Sequence, residues 1–130
     1  MFDIIAVDIS GRHRTNDEYI MVCAAVSASV TADNIEKTNQ IAIRSFRSIS
    51  APDVTDVINM VETTVAELKF GGTIVTEAGD MYNKPQRIID SIFYQDFKYQ
   101  ESLGERRCIE LAHHVSLAAR KFLLKELGLQ

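Results

Sequence analysis

Cysteine, proline and tryptophan are scarce in this chain of 130 residues, which holds two Cys, two Pro and no Trp. Two cysteines make neither a disulfide framework nor a zinc site. Cys23 and Cys108 are therefore expected as buried free thiols, the usage of a reducing cytoplasm. Two prolines and six glycines leave little for linkers, and no repeat or low-complexity stretch is present. No apolar run approaches the ~20 residues that a membrane helix needs. The N-terminus lacks the basic stretch and apolar core of a secretion signal, so a cytoplasmic protein without a membrane partner is expected. An excess of positive charge is missing too. Eighteen acidic against fourteen basic residues give a net charge of −4, which argues against a protein that coats nucleic acid but not against a nuclease, whose metal site is itself acidic. What is there suits one domain over residues 1–130: 46% of the chain is hydrophobic and 25% charged, enough apolar surface for a single core.

Met1–Ala28 carries most of the information. Ile4-Ile5-Ala6-Val7 leads into Asp8, a polar turn follows around Ser10-Gly11-Arg12, and Tyr19–Val26 is a second apolar run. Two apolar runs separated by turn chemistry read as paired strands, over about residues 2–9 and 18–28. Thr31–Lys37 reads as a turn or short helical turn. Gln40–Ser48 alternates Ile41, Ile43 and Phe46 with polar residues, a third strand with a bulge expected near Ser45. Val54, Val57, Ile58, Val61, Val65 and Leu68 form one helical stripe, with Ser50 as the expected cap, Pro52 in the first turn and Gly71-Gly72 as the stop. Thr73–Thr76 reads as a short strand, and Pro85 opens a helix to about Phe93 with Ile88, Ile89 and Ile92 on its apolar side. Asp96–Glu101 is a fifth strand whose Phe97 and Tyr99 would be exposed. The last helix runs from about Glu105 to Leu127 with Ile109, Ala112, Val115, Ala119 and Phe122 inward. The order β-β-β-α-β-α-β-α gives a mixed five-stranded sheet with helices on both faces, its crossovers right-handed.

That order is the order of the ribonuclease-H-like fold. Val7-Asp8-Ile9-Ser10-Gly11-Arg12 followed by Val22-Cys23-Ala24-Ala25-Val26 resembles the opening of type 2 ribonucleases H, where Asp-Glu-x-Gly-Arg-Gly precedes a strand rich in Val and Ala. Ser48–Asp53 with Val57-Ile58-Asn59-Met60 is similar to that family's segment before a helix bearing Ile-Asn. Ile74-Val75-Thr76-Glu77 falls where the family has a strand ending in a catalytic Asp, and Val115–Arg120 is faintly similar to its Ala-Ser-Ile-x-Ala-Lys helix. The pattern also resembles a small archaeal family of uncharacterised proteins with a similar fold. The departures are specific. Ile9 stands where type 2 enzymes have their second acid, His13 stands where they have the Gly after Arg, and the chain is shorter than they are.

The resemblance implies a two-metal site in which carboxylates at strand ends hold divalent ions about 3.5–4 Å apart. Asp8, Glu77, Asp80 and Glu105 are the expected ligands of Mg²⁺ or Mn²⁺, with Asp8, Glu77 and Glu105 as the catalytic set and Glu101 and Glu110 as substitutes for Glu105. Each has an ordinary alternative. Asp8 is costly to bury unpaired, and Arg12 or a backbone turn could satisfy it. Glu77 and Asp80 flank Gly79 in a turn, where acids are common, and Glu105 could simply be a charge at a helix N-terminus. Glu62 could face the sheet edge, whereas Glu67 faces water. His113 and His114 are adjacent and point ~100° apart on a helix, so they cannot easily share an ion, although Glu110 and His114 could share a face. Arg12, His13 and Arg14 could contact a phosphate or be a solvated turn. Two functions follow. One is a degenerate relative kept as a binding or assembly module, with a homodimer as its expected form and Phe97 and Tyr99 as contact residues. The alternative is a metal-dependent nuclease that hydrolyses phosphodiester bonds in an RNA/DNA hybrid or structured nucleic acid. The loss of an acid at Ile9 favours the first.

Overall fold

The computed structural model describes residues 1–129. In chain order the elements are β1 (Phe2–Ser10), β2 (Arg14–Thr15), β3 (Glu18–Val30), β4 (Ile35–Ser48), α1 (Val54–Val65), β5 (Thr73–Thr76), a 3₁₀ turn (Ala78–Met81), α2 (Gln86–Ile92), β6 (Phe97–Tyr99) and α3 (Leu103–Glu126). They form a mixed α/β arrangement with one six-stranded sheet, one strand more than the sequence pattern suggests. The extra strand is β2. It pairs with β3 at Arg14↔Tyr19 and Thr15↔Glu18, on the flank that β1 occupies from Phe2↔Val30 to Ser10↔Val22. β4 takes the other flank of β3 from Tyr19↔Ser48 to Val30↔Ile35. β2 is thus a short continuation of β1, broken at Gly11. Its turn is closed by Asn16 (φ 52°) and Asp17 (φ 66°), two left-handed residues of the type that two-residue hairpins require. β1 then pairs in parallel with β5, and β5 in parallel with β6.

β1 is buried on both sides from Ile4 to Ser10, as a central strand must be. Its period of two sends Ile5, Val7 and Ile9 into the core beneath α1 and α2, with Val57, Ile58, Val61 and Ile89. It sends Ile4 and Ala6 to the opposite face, against Cys108, Ile109 and Ala112 of α3. Helices therefore cover both faces. The same alternation aims Asp8 and Ser10 at α3.

Several boundaries differ from the sequence expectation for physical reasons. β4 starts at Ile35, because an edge strand facing water at Glu36–Asn39 carries no apolar period. Its bulges fall where Glu36 and Asn39 are skipped by the β3 partners, not near Ser45. α1 is capped by Asp53: the Asp56 N–H donates to Asp53 Oδ1 (2.8 Å) and the Asp53 N–H to Asp56 Oδ2 (3.0 Å), a capping box that displaces Ser50. α1 ends at Val65, ahead of Gly71-Gly72, as Glu67 and Leu68 turn back onto the carbonyls of Thr64 and Val65. On the seven-residue α2 only Ile89 is buried; Ile88 and Ile92 are exposed. Phe97 is a core residue stacked on Phe93 at 5.0 Å, and Tyr99 is half-buried beside it, so neither is a surface contact. Phe122 points outward, whereas Leu124 and Ser116 are buried.

Candidate functional site

Parallel pairing of β1 with β5 sets Ala6 beside Val75. Two residues further on, Asp8 and Glu77 reach the same rim of the sheet, at the carboxyl ends of the strands, where open α/β sheets place their sites. Asp80 follows in the 3₁₀ turn, and α3 crosses this rim with His113 and Ser116.

Asp8 is nearly buried, and its Oδ2 is already engaged. Ser116 Oγ donates to it at 2.7 Å, and His113 Nδ1 lies 3.2 Å away. Ser116 Oγ also lies 3.1 Å from the His113 carbonyl and 2.6 Å from Ser10 Oγ. A hydroxyl has one proton. The carboxylate is the stronger acceptor and takes it, so Ser10 donates into Ser116 Oγ. With Nδ1–H donated to Asp8, His113 presents Nε2 outward. The result is a chain of hydrogen bonds that joins β1 to α3 across the rim.

Beside it lies a cleft of about 390 Å³ lined by Gly11, Arg12, His13, Asp80, His113 and Arg120, among others. Arg12 turns inward, its Nη2 3.7 Å from Asp80 Oδ1 and its guanidinium carbon 5.3 Å from the centroid of the Tyr82 ring. Burial pushes the Asp80 carboxyl up to about 7; the neighbouring charge of Asp8 adds to the rise and Arg12 opposes it. Gly11 has φ +97°, and a Cβ there would collide with Arg120 Nε and the Ile20 carbonyl. Arg120 needs that space, since its Nε donates to the Ile20 carbonyl (2.7 Å) and its Nη2 to Thr15 Oγ1 (3.2 Å). His13 and Arg14 stay exposed, so the basic run does not act as a unit.

The expected ligands do not all meet. Asp8 and Glu77 line one small cavity of about 210 Å³ with Glu110, His113 and His114, and Asp80 is near enough to feel both acids. Glu105 is elsewhere. It lies eight residues before His113 on α3, roughly 12 Å along the axis. Its Oε1 accepts from the N–H groups of Glu101 (2.8 Å) and Ser102 (3.0 Å), and its Oε2 pairs with Lys98 Nζ at 2.9 Å. Burial alone would raise its carboxyl, but Lys98 and the two backbone donors outweigh that and hold it below the usual range. Glu105 is thus the capping-box acid of α3. Glu101 is exposed on the same end, 3.7 Å from Lys98. Of the substitutes only Glu110 reaches the rim. Glu62 accepts from the Tyr94 N–H and Glu67 faces Arg44. The remaining arginines do not gather: Arg47 holds Glu18, Arg106 faces Glu110, and Arg107 caps the Asp33 carbonyl.

Among the described residues, no three His, Cys, Asp or Glu side chains are placed to hold one metal ion together. Ile9 packs into the α1-side core, and Asp8 Oδ2 is taken by protein donors. Burial raises the Cys23 thiol to about 12 and the Cys108 thiol to about 11, so both remain protonated and inert near neutrality.

Residues 5–124, which include every residue of this rim, match the family described as "Uncharacterized protein conserved in archaea (DUF2209)". The chain belongs to this archaeal family. It is 31% identical over 125 residues to "Uncharacterized protein MJ0095" of Methanocaldococcus jannaschii, across 94% of this chain and 97% of that one. No helix among the described residues is long and apolar enough to cross a membrane.

Ser116 is the rim residue that the sequence analysis did not single out. It stands seven residues after Ile109 and four after Ala112, a polar side chain on the buried stripe of α3. A hydroxyl at such a position needs a partner, and that requirement was the available signal.

Proposed function

We propose that this chain is a ribonuclease-H-like domain serving as a binding or assembly module whose rim no longer performs two-metal hydrolysis. The observation that carries this reading is the engagement of Asp8. Its buried Oδ2 answers Ser116 and His113, and the neighbouring position is a core isoleucine. A carboxylate that must hold a divalent ion needs free lone pairs directed at it. Strand order supports the fold part of the proposal: β4-β3-β1-β5-β6, with antiparallel pairs on one side of β1 and parallel pairs on the other. The polar cluster then serves to clamp α3 to the sheet.

The alternative is a metal-dependent nuclease acting on an RNA/DNA hybrid, favoured by the arrival of Asp8, Glu77 and Asp80 at one rim. Melting the protein with and without Mg²⁺ or Mn²⁺, beside an Asp8→Asn variant and a hybrid-cleavage assay, separates the two. The module reading expects neither a metal-dependent rise in Tm nor cleavage. A rise of several degrees that Asp8→Asn abolishes, together with cut hybrid, would overturn it.

A further inference from the structure

The geometry points to a homodimer in which β4 pairs with β4 of a second copy and α3 covers the seam. This inference gives the assembly reading its partner and rests on that reading. Its residues lie outside the Asp8 rim.

β4 is fourteen residues long and, among the described residues, pairs only with β3. Long open edges are normally guarded by bulges, proline or lone charges. Here both bulges lie at the N-terminal end, at Glu36 and Asn39, and Gln40–Ser48 is regular. The charges on this stretch are already answered: Arg44 faces Glu67 at 3.6 Å, and Arg47 makes two bonds to Glu18 at 2.9 and 2.7 Å. What the edge presents instead is Ile41, 41% exposed, and Ile43, 47% exposed.

Both isoleucines are on the α3 side of the sheet. Ile41 pairs with Val26, which belongs to the α3-side core, and Ile43 pairs with Ala24, itself opposite Asp8. On that same side α3 carries an apolar stripe, packed on the core at Leu111 and open at Ala118 and Phe122. Arg107 reaches the β3–β4 turn through the Asp33 carbonyl, and Leu111, Val115, Ala118 and Phe122 follow at helical spacing on the flank toward β4. Phe122 is 65% exposed. The α1 side of β4, by contrast, shows Gln40 and Arg44.

A two-fold axis normal to the sheet runs two copies of β4 antiparallel and keeps like faces together. Centred on Ala42, it sets Ile41 opposite Ile43 of the second copy and Gln40 opposite Arg44, with no like charges opposed. The bulge at Asn39 ends the pairing before Lys37 would meet Arg47. The two copies of α3 then flank the seam on one face and shield the isoleucines and Phe122. Cross-strand apolar pairs and continuous hydrogen bonding are the favourable terms.

Sedimentation equilibrium of the full chain at micromolar concentration tests this. The wild type should sediment at twice the chain mass. Ile41→Lys with Ile43→Lys should be monomeric with an unchanged circular dichroism spectrum, and mixing it with Ile41→Glu plus Ile43→Glu should restore a one-to-one dimer. Phe122→Lys, which leaves the sheet untouched, should weaken association by itself. A wild type that is monomeric throughout, or a dimer that survives the paired lysines, would overturn the interface while leaving the module reading in place. Cleavage of a hybrid would overturn that reading at any oligomeric state.

Discussion

Ser116 Oγ, on the third helix, lies 2.7 Å from Asp8 Oδ2 on the first strand, 108 residues away in the chain. Both groups are buried, so each is the other's substitute for water. Ser116→Ala leaves Asp8 with His113 as its remaining side-chain donor and takes away the acceptor of the buried Ser10 hydroxyl. We expect a loss of about 1–3 kcal/mol in unfolding free energy, the cost of leaving a buried polar group unsatisfied. Urea denaturation of the variant measures it. The exposed Ser91→Ala should stay within about 0.5 kcal/mol of wild type.

Asp80 sets a pH dependence of opposite sign to that of most carboxylates. Its folded pKa, about 7, lies above the ordinary aspartate value near 4. An acid with a raised folded pKa is stabilising while protonated, and that benefit is lost as pH rises from the unfolded value to the folded one. The Asp80 contribution to stability should fall between about pH 4 and pH 7 and level off above. Asp80→Asn should flatten this fall and exceed the wild type by roughly 2 kcal/mol at pH 8, after allowance for solvent screening. Denaturation curves at pH 4, 6 and 8 give the answer; wild-type stability that rises relative to Asp80→Asn across that window would contradict it.

Helix starts give a sharper test of local structure. Asp53 and Ser102 each close a capping box, so Asp53→Ala and Ser102→Ala should each cost about 1 kcal/mol. Ser50→Ala, at the position favoured by sequence spacing alone, should cost much less of the helix and can be compared in the same thermal melts.

Side-chain facing is tested by Ile109→Ala against Ile88→Ala. Ile109 is buried between α3 and the sheet, and its truncation should cost about 2–5 kcal/mol. Ile88 is exposed on a short helix and should cost well under 1 kcal/mol.

These contrasts show what the sequence made legible. The order of strands and helices could be read because β1 and β3 are unbroken apolar runs and α1 buries one helical stripe. The meeting of Asp8, Glu77 and Asp80 at one rim followed from placing β1 beside β5. Glu105 was misplaced for a physical reason: an acid at the third position of a helix satisfies the capping pattern and a ligand pattern equally, and only the direction of α3 across the sheet decides between them. Ile88, Ile92 and Phe122 read as inward because apolar residues at helical spacing look alike whether or not the fold covers them. Phe97 read as outward because a three-residue strand at a sheet edge gives no hint that Phe93 stacks on it. The link from Ser116 to Asp8 required knowing that α3 crosses β1 at that turn, which no local pattern encodes.

We propose that Ser116 and His113, in place of a divalent ion, satisfy Asp8. The most direct test of this claim is an NMR titration of the full chain with Mn²⁺, following the side-chain carboxyl of Asp8 and the imidazole of His113. Paramagnetic Mn²⁺ broadens signals near its binding site. The claim predicts that both signals stay sharp at stoichiometric Mn²⁺; selective broadening of Asp8, Glu77 and Asp80, with His113 released from Asp8, would contradict it.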